Sequence, residues 1–323
     1  MLQYLTINKF KHLNNLINLW NSEYRKTFPI SKSSYRNLIL SDSNLNEEAS
    51  FVALYDNEPV GFIFIKTWLK DSGLINEKNI ANISLIFVKK EMRNMGIGSD
   101  LLKLAISEIK KHSTINKIIV GNDINGLFPG IPNELNDAPI FFMNKGFIQK
   151  EGVVDMIHIV KDENEGKDNE LKDVSVGIAT EEEKDELLKL CIKNNYNREA
   201  FLINNYFENG GSGRRIVLLR KDDKIIGFAR FEDENKSLFK TSIFMKKKSL
   251  GNIIFEKLDE DYKNIGYEEI LNQSVRNYII KRGCNKIVVL ATKNIPFYKQ
   301  LDYSVYKYYL QFELEIWNTQ QLF

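Results

Sequence analysis

The sequence is short of the residues that most often carry chemistry. Its 323 residues include two cysteines and three histidines. Cys191 and Cys284 lie far apart in the second half, and neither has a CxxC or Cys/His cluster around it. That excludes zinc-ligand spacing and a disulfide framework. Two isolated thiols suit a reducing compartment, so a cytoplasmic protein is expected. His12, His112 and His158 are scattered; none receives a role, and no metal is expected. Charge of one sign is also lacking, with 45 Lys and Arg against 43 Asp and Glu. The two signs alternate as on solvated helix faces, which argues against nucleic acid as a partner. No apolar run approaches the roughly 20 residues of a membrane span, so no membrane partner is expected. The first six residues lack a basic segment followed by an apolar one, and no signal peptide is expected.

Hydrophobic residues make up 43% of the chain, which is long enough for two cores. Its least apolar stretch runs Lys161-Asp162-Glu163-Asn164-Glu165-Gly166-Lys167-Asp168-Asn169-Glu170. So polar a segment buries little and reads as a linker. The expected organisation is a domain over 1–160, a linker over 161–173 and a domain over 174–323.

The two sides of the linker repeat each other. Residues 51–55 and 60–65 read as a hairpin closed by Asp56-Asn57-Glu58-Pro59. Residues 216–220 and 225–231 repeat it around Lys221-Asp222-Asp223-Lys224. An apolar strand, a turn, an amphipathic helix and another strand follow in each half, over 83–120 and 251–290. Helical regions over 10–24 and 181–194 open the halves. The coarse order is β–α–α–β–β–β–α–β–α–β–β, twice: an α/β structure with helices covering a mixed sheet.

The segment that carries chemistry is Val88-Lys89-Lys90-Glu91-Met92-Arg93-Asn94-Met95-Gly96-Ile97-Gly98-Ser99, followed by Asp100-Leu101-Leu102. A buried strand ends, and glycines then open a helix. The first turn of a helix has free N–H groups and the positive end of its dipole. Glycine lets an anion approach that backbone, which makes a phosphate cradle. Gly-x-Gly alone is more often just a turn. A dinucleotide fingerprint would need GxGxxG after the first strand, and a P-loop would need Gly-Lys-Ser/Thr; neither is present.

In full context the chain resembles the GNAT superfamily of N-acetyltransferases, in the form with two GNAT domains in tandem. Arg93-x-x-Gly96-x-Gly98 after a strand ending at Val88 carries the resemblance. The hairpin with Gly61 and the later Ala138-x-x-x-Phe142-x-x-x-Gly146-Phe147 agree with it. The resemblance implies two domains, each a mixed, mainly antiparallel sheet flanked by helices. It implies acetyl-CoA or another short acyl-CoA as cosubstrate and a primary amine, small molecule or peptide, as acceptor. Backbone amides of Asn94, Met95, Gly96, Ile97, Gly98 and Ser99, with Arg93, would hold the pyrophosphate. Ile86, Phe87 and Val88 would pair with the pantetheine arm, and an N–H near Ile86 would polarise the thioester carbonyl.

The sequence departs from the family at several positions. The usual acid, Tyr, is Phe142; a frequent Asn is Leu135; the usual strand glutamate is Asn82. A thiol is a tolerable leaving group, so turnover without the acid is still expected. The shaped loop Gly121-Asn122-Asp123-Ile124-Asn125-Gly126-Leu127-Phe128-Pro129-Gly130-Ile131-Pro132 is expected to wall the amine pocket. Asp123 is the candidate base or ammonium-binding group, with turn capping as the alternative. In the second half the cradle becomes Lys263-Asn264-Ile265-Gly266-Tyr267-Glu268, with an acid in place of the second glycine. One CoA per chain is therefore expected, in the first half only. Tyr298 holds the family's acid position in the second half and reads as structural, or as lining a pocket between the domains. The alternative to an enzyme is a non-catalytic CoA-binding sensor or interaction module.

Overall fold

The computed structural model describes residues 1–68, 78–112, 114–161, 173–233 and 249–316. Most of the expected linker lies outside them. The first half opens with β1 (Leu2–Thr6), α1 (Leu13–Tyr24) and a short α2 (Lys32–Tyr35) that runs on as a π-type turn over Arg36–Leu40. β2 (Phe51–Tyr55) and β3 (Glu58–Thr67) follow, then β4 (Ile80–Val88), α3 (Ile97–Ile109), β5 (Lys117–Val120), a two-residue β6 (Ile131–Pro132), α4 (Asp137–Met143) and β7 (Ile148–Ile159). The second half repeats the plan with β8 (Ser175–Ile178), α5 (Lys184–Lys193), α6 (Asn197–Glu208), β9 (Ile216–Lys221) and β10 (Lys224–Glu232). It ends with β11 (Leu250–Leu258), α7 (Tyr267–Lys281), β12 (Lys286–Thr292), α8 (Ile295–Gln300) and β13 (Ser304–Glu315).

Local rules place these elements. The β2–β3 turn has φ of 49° at Asp56 and 68° at Asn57, and the β9–β10 turn has 48° at Asp222 and 61° at Asp223. Two successive positive φ values give the turn whose twist matches a hairpin, and Asp and Asn tolerate that conformation. α3 buries Ile97, Leu101, Leu102, Ala105 and Ile109 on one stripe. Each aliphatic side chain so buried stabilises by about 1.5–3 kcal/mol, so the helix is held by packing on the sheet. α7 buries Leu271, Val275 and Ile279 in the same way.

All strands join one 13-stranded sheet in the order β1-β2-β3-β4-β5-β13-β7-β12-β11-β10-β9-β8, with β6 pairing β13. Neighbours are antiparallel except β4–β5 and β11–β12, the parallel pairs that α3 and α7 cross over. Each half was expected to end in two strands of its own; among the described residues each supplies one. β13, from the end of the chain, inserts between β5 and β7, and β7 inserts between β13 and β12. Each sheet is thus completed by the other half's last strand. Hydrophobic clusters cover both faces of both halves.

Candidate functional site

The site begins where two parallel strands part. β4 and β5 stay in register from Ile80 opposite Lys117 to Ile83 opposite Val120. The last bond runs from the Gly121 N–H to the Ile83 carbonyl, 2.8 Å. Gly121 and Asn122 then take φ of 69° and 55° and turn the chain away. Glycine is required at 121 because a Cβ there would lie 2.7 Å from the Phe128 carbonyl oxygen. On β4 the register to β3 slips, so Ser84 is an extra residue between Ile83 and Leu85. Beyond this bulge β4 continues to Val88 with, among the described residues, only β3 beside it. A free strand edge of that kind accepts an extended ligand as if it were a strand. Ile86 packs toward the α3 cluster, and Phe87 toward the α1 cluster.

The cradle lies at the end of that edge. After a single 3-10 turn at Lys90–Met92, Asn94 (φ 63°) and Gly96 (φ 84°) are both left-handed. This curls the backbone before α3 opens. The first amide used inside the helix is that of Asp100, bonded to the Gly96 carbonyl at 3.0 Å. Among the described residues, no acceptor takes the N–H groups of residues 94–99. A Cβ on Gly98 would sit 3.4 Å from the Phe141 ring. Arg93 does not reach over the cradle. Its Nε donates to the Val88 carbonyl (3.0 Å), and its Nη2 pairs with the Glu23 carboxylate and approaches the Tyr24 hydroxyl (3.3 Å). Glu23 also accepts from the Lys90 N–H at 2.7 Å. Arg93 therefore fixes the turn to α1.

At the other end of the cleft the loop 121–130 closes over a buried ionic cluster. Lys66 Nζ, at the end of β3, lies 2.6 Å from Asp123 Oδ1, 2.9 Å from Asp42 Oδ2 and 2.6 Å from the Leu38 carbonyl. Burial pulls the Lys66 ammonium down, but Asp123 and Asp42 outweigh it and hold it above the usual lysine range. The cluster carries a formal charge of −1. Asp123 is thus the end of a charge network. The Gly126 N–H donates to the Asp123 backbone carbonyl (3.0 Å), a turn bond that does not use the side chain. The loop is shaped as expected: Phe128 packs on Trp20 and Phe28, and β6 pairs Tyr309 and Leu310 of β13. The second half also braces it, since Arg198 of α6 donates to the Asn122 carbonyl at 2.8 Å.

With that geometry in hand, known proteins can be compared. Residues 13–125 match the model of the acetyltransferase (GNAT) family. An N-acetyltransferase of Methanocaldococcus jannaschii, itself uncharacterised, is 32% identical over 117 residues, which is 36% of this chain and 46% of that one. The whole chain also superposes on solved structures at low identity, which shows the fold. The glucosamine N-acetyltransferase region of a fungal multi-domain enzyme has a TM-score of 0.82 at 17% identity, covering 97% of this chain and 38% of that one. A tandem GNAT protein from the clavulanic acid pathway gives 0.67 at 12%, covering 98% of each. A GCN5-related N-acetyltransferase of Sphaerobacter thermophilus gives 0.67 at 11%, covering 98% of this chain and 95% of that one. The chain spans less than half of the archaeal relative and of the fungal enzyme. Its fold is that of a tandem GNAT protein.

The two GNAT folds differ where a ligand would lie. In the second, Asn264 (φ 61°) and Gly266 (φ 97°) repeat the left-handed curl. There, however, the Asn264 N–H donates to Glu268 Oε1 at 2.8 Å. The side chain that replaces Gly98 occupies the cradle itself. On β11, Glu256 stands where Ile86 stands on β4, and accepts from the Tyr298 hydroxyl (2.8 Å) and from Asn272 Nδ2 (2.9 Å). Burial pushes the Glu256 carboxyl up to about 7 despite those two bonds. Tyr298, at the family's acid position, is tied into this network inside the second domain, not between the domains. In the first domain the equivalent Phe142 is 1% exposed and packs on Phe147 and Phe312. Asn82, at the glutamate position, spends its Nδ2 on the Gly121 carbonyl at 3.0 Å.

Lys66 and Asp42 were not legible in the sequence. Lys66 reads as the polar end of a strand, and Asp42 as a turn residue. The one available signal was a lysine inside the apolar run Phe62-Ile63-Phe64-Ile65-Lys66, which demands buried counter-charges.

Proposed function

We propose that the first GNAT domain transfers an acetyl or other short acyl group from CoA to a primary amine, and that the second domain does not bind CoA. The observation that carries this reading is the contrast between the cradles. The amides of residues 94–99 are unused, whereas the matching Asn264 amide is taken by Glu268.

The residues of the first domain fit the cosubstrate. Amides of Asn94, Met95, Gly96, Ile97, Gly98 and Ser99 would receive the pyrophosphate, favoured by the α3 dipole. Arg93 serves by holding the turn in shape. The open edge of Ile86, Phe87 and Val88 would align the pantetheine arm, and an N–H there would polarise the thioester carbonyl. Bound acyl-CoA supplies an activated carbonyl. The amine nitrogen bonds to the acyl carbon as the C–S bond breaks. Asp123, through its Oδ2, orients the amine or takes its proton. No side chain stands at Phe142 to protonate sulfur, so the thiolate takes its proton from water, which its low basicity permits.

Two measurements test this. Calorimetry with CoA should show one site per chain, and thiol release from acetyl-CoA should rise with an amine from a panel. Absence of CoA binding would overturn the reading. Phe142 and Asn82 favour a second reading, a CoA-binding module without turnover. One-site binding with no thiol release from any amine would select it.

A further inference from the structure

Buried polar atoms without a hydrogen-bond partner are not spread evenly over the molecule. Among the described residues, the first domain contributes Asn44 Nδ2, Ser84 Oγ and Asp123 Oδ2, while Asp42 Oδ2 is met by the Lys66 ammonium at 2.9 Å. These three atoms and Asp42 belong to one neighbourhood around Lys66. Asp42 and Asp123 both contact its Nζ. The Asn44 N–H donates to Asp42 Oδ1, and the Asn44 carbonyl accepts from the Thr67 N–H next to Lys66. Lys66 pairs with Asn82 across the strands, and Ser84 is the bulged residue two positions on. Alternation puts Lys66, Asn82 and Ser84 on one face of the sheet, the face covered by α1 and α2. Asn44, Ser84 and Asp123 keep between 3% and 8% exposure, so leaving these atoms unmatched is costly.

A buried cluster that keeps unmatched polar atoms beside an open strand edge is a candidate ligand site. We infer that Asp42, Asn44, Ser84 and Asp123 form the acceptor pocket for a compact cationic amine that also carries a hydroxyl or carbonyl oxygen. The inference rests on the acyl-transfer reading for where the amine is delivered. The chemistry of the groups sets the class. Asp123 Oδ2 only accepts and the cluster is net negative, so the ligand brings a cation with N–H donors. Asn44 Nδ2 only donates, so the ligand also brings an acceptor oxygen. The Ser84 hydroxyl completes either contact. An alkylamine leaves Asn44 unmatched, and an amino acid sets its carboxylate against Asp123. An amino alcohol satisfies every group.

The test is binding by saturation-transfer NMR without any CoA, using 2-aminoethanol, n-propylamine and glycine. 2-Aminoethanol should bind about 10- to 100-fold more tightly than n-propylamine, the range for a hydrogen bond to a buried polar group, and glycine should bind least. Ser84→Ala and Asp123→Asn should each lose about tenfold or more in 2-aminoethanol affinity. Ser84→Ala should keep or raise the melting temperature, because it deletes an unmatched buried hydroxyl. Asp123→Asn leaves Lys66 paired with Asp42 and the Leu38 carbonyl, so it should fold. Equal binding of n-propylamine, wild-type affinity in Ser84→Ala, or a Ser84→Ala melting temperature several degrees lower would each overturn the pocket. Binding of 2-aminoethanol without thiol release would keep the pocket and reject acyl transfer; transfer to amines that ignore these variants would do the reverse.

Discussion

The second domain shows how a cradle is closed, and the closure can be transplanted. In Gly98→Glu, the new carboxylate sits four residues after Asn94, as Glu268 sits four after Asn264. The backbone is ready for it, because Asn94 and Gly96 share the curl of Asn264 and Gly266. Space allows it too: a Cβ at 98 meets the Phe141 ring at 3.4 Å and Val88 at 3.7 Å, ordinary contact. Two effects then oppose CoA. A carboxylate about 4 Å from a phosphate costs roughly 4 kcal/mol at an effective dielectric of 20. Residues 94–96 are exposed, and screening cuts that to about 1–2 kcal/mol. Competition for the Asn94 amide removes a charge-assisted hydrogen bond, about 1.5–3 kcal/mol more. Together these predict CoA affinity lower by about 10²- to 10³-fold. The fold should gain, since glycine is lost from a helix start and an acid joins its first turn, about 0.5–1 kcal/mol each. Calorimetry and thermal unfolding read both effects. Gly98→Ala is the control and should bind CoA within a few-fold of wild type. Unchanged CoA affinity in Gly98→Glu would refute the assignment of the cradle, and so would an equal loss in Gly98→Ala.

Three further outcomes are expected. Asp123→Asn should lower kcat/KM for the amine by about a hundredfold if Asp123 orients or deprotonates it; wild-type rates across pH would reduce it to a turn cap. Gly126→Ala drives a methyl to 2.6 Å from Asp123 Oδ2, so it should raise KM for the amine while CoA affinity in calorimetry stays as it was. Asp155 accepts from the Ala291 N–H and the Tyr309 hydroxyl, and burial pushes its carboxyl up to about 6. The folded form therefore holds this proton more tightly than the unfolded form, and stability falls as pH rises from about 4 through about 6, by roughly 3 kcal/mol. Asp155→Asn should remove that fall, so the mutant gains on wild type between urea melts at about pH 4 and about pH 7.5; a pH-independent difference would refute it.

What was legible in the sequence is what local rules decide. The hairpin turns at Asp56-Asn57 and Asp222-Asp223, the α3 stripe and the glycines before it each have a short-range cause, and each appears where expected. The replacement of Gly98 by Glu268 was readable as an obstacle. That its carboxylate bonds the Asn264 amide needed coordinates. The buried cluster was not readable, because Asp42, Lys66 and Asp123 come from three separated segments. Nor was the exchange of last strands. β7 and β13 are both 12 residues long, and a strand's own pattern of polar and apolar residues does not fix which strand lies alongside.

That exchange bears on why a chain keeps a second domain whose cradle is self-occupied. β13 is the strand beside β5, so the second half supplies part of the wall of the first half's cleft. Through Leu310 and Tyr309 it also pairs β6, which anchors the loop that carries Asp123. Gly130 is pressed against this strand, since a Cβ there would lie 2.5 Å from the Leu310 carbonyl oxygen. From the other side Arg198 holds the Asn122 carbonyl, and Phe201 of the same helix meets the Trp68 ring edge-on at 5.3 Å. The residues on either side of the Lys66 cluster are thus braced by α6 and β13. Positions built on rigid neighbours hold a reacting group better than free loops do. In the second domain Glu256 bonds with Tyr298 and Asn272, and these contacts fix α7 and α8 against the sheet. Loss of one cradle and support of the other are then two results of a single division of labour: the second domain stiffens the surface on which the first would do its chemistry.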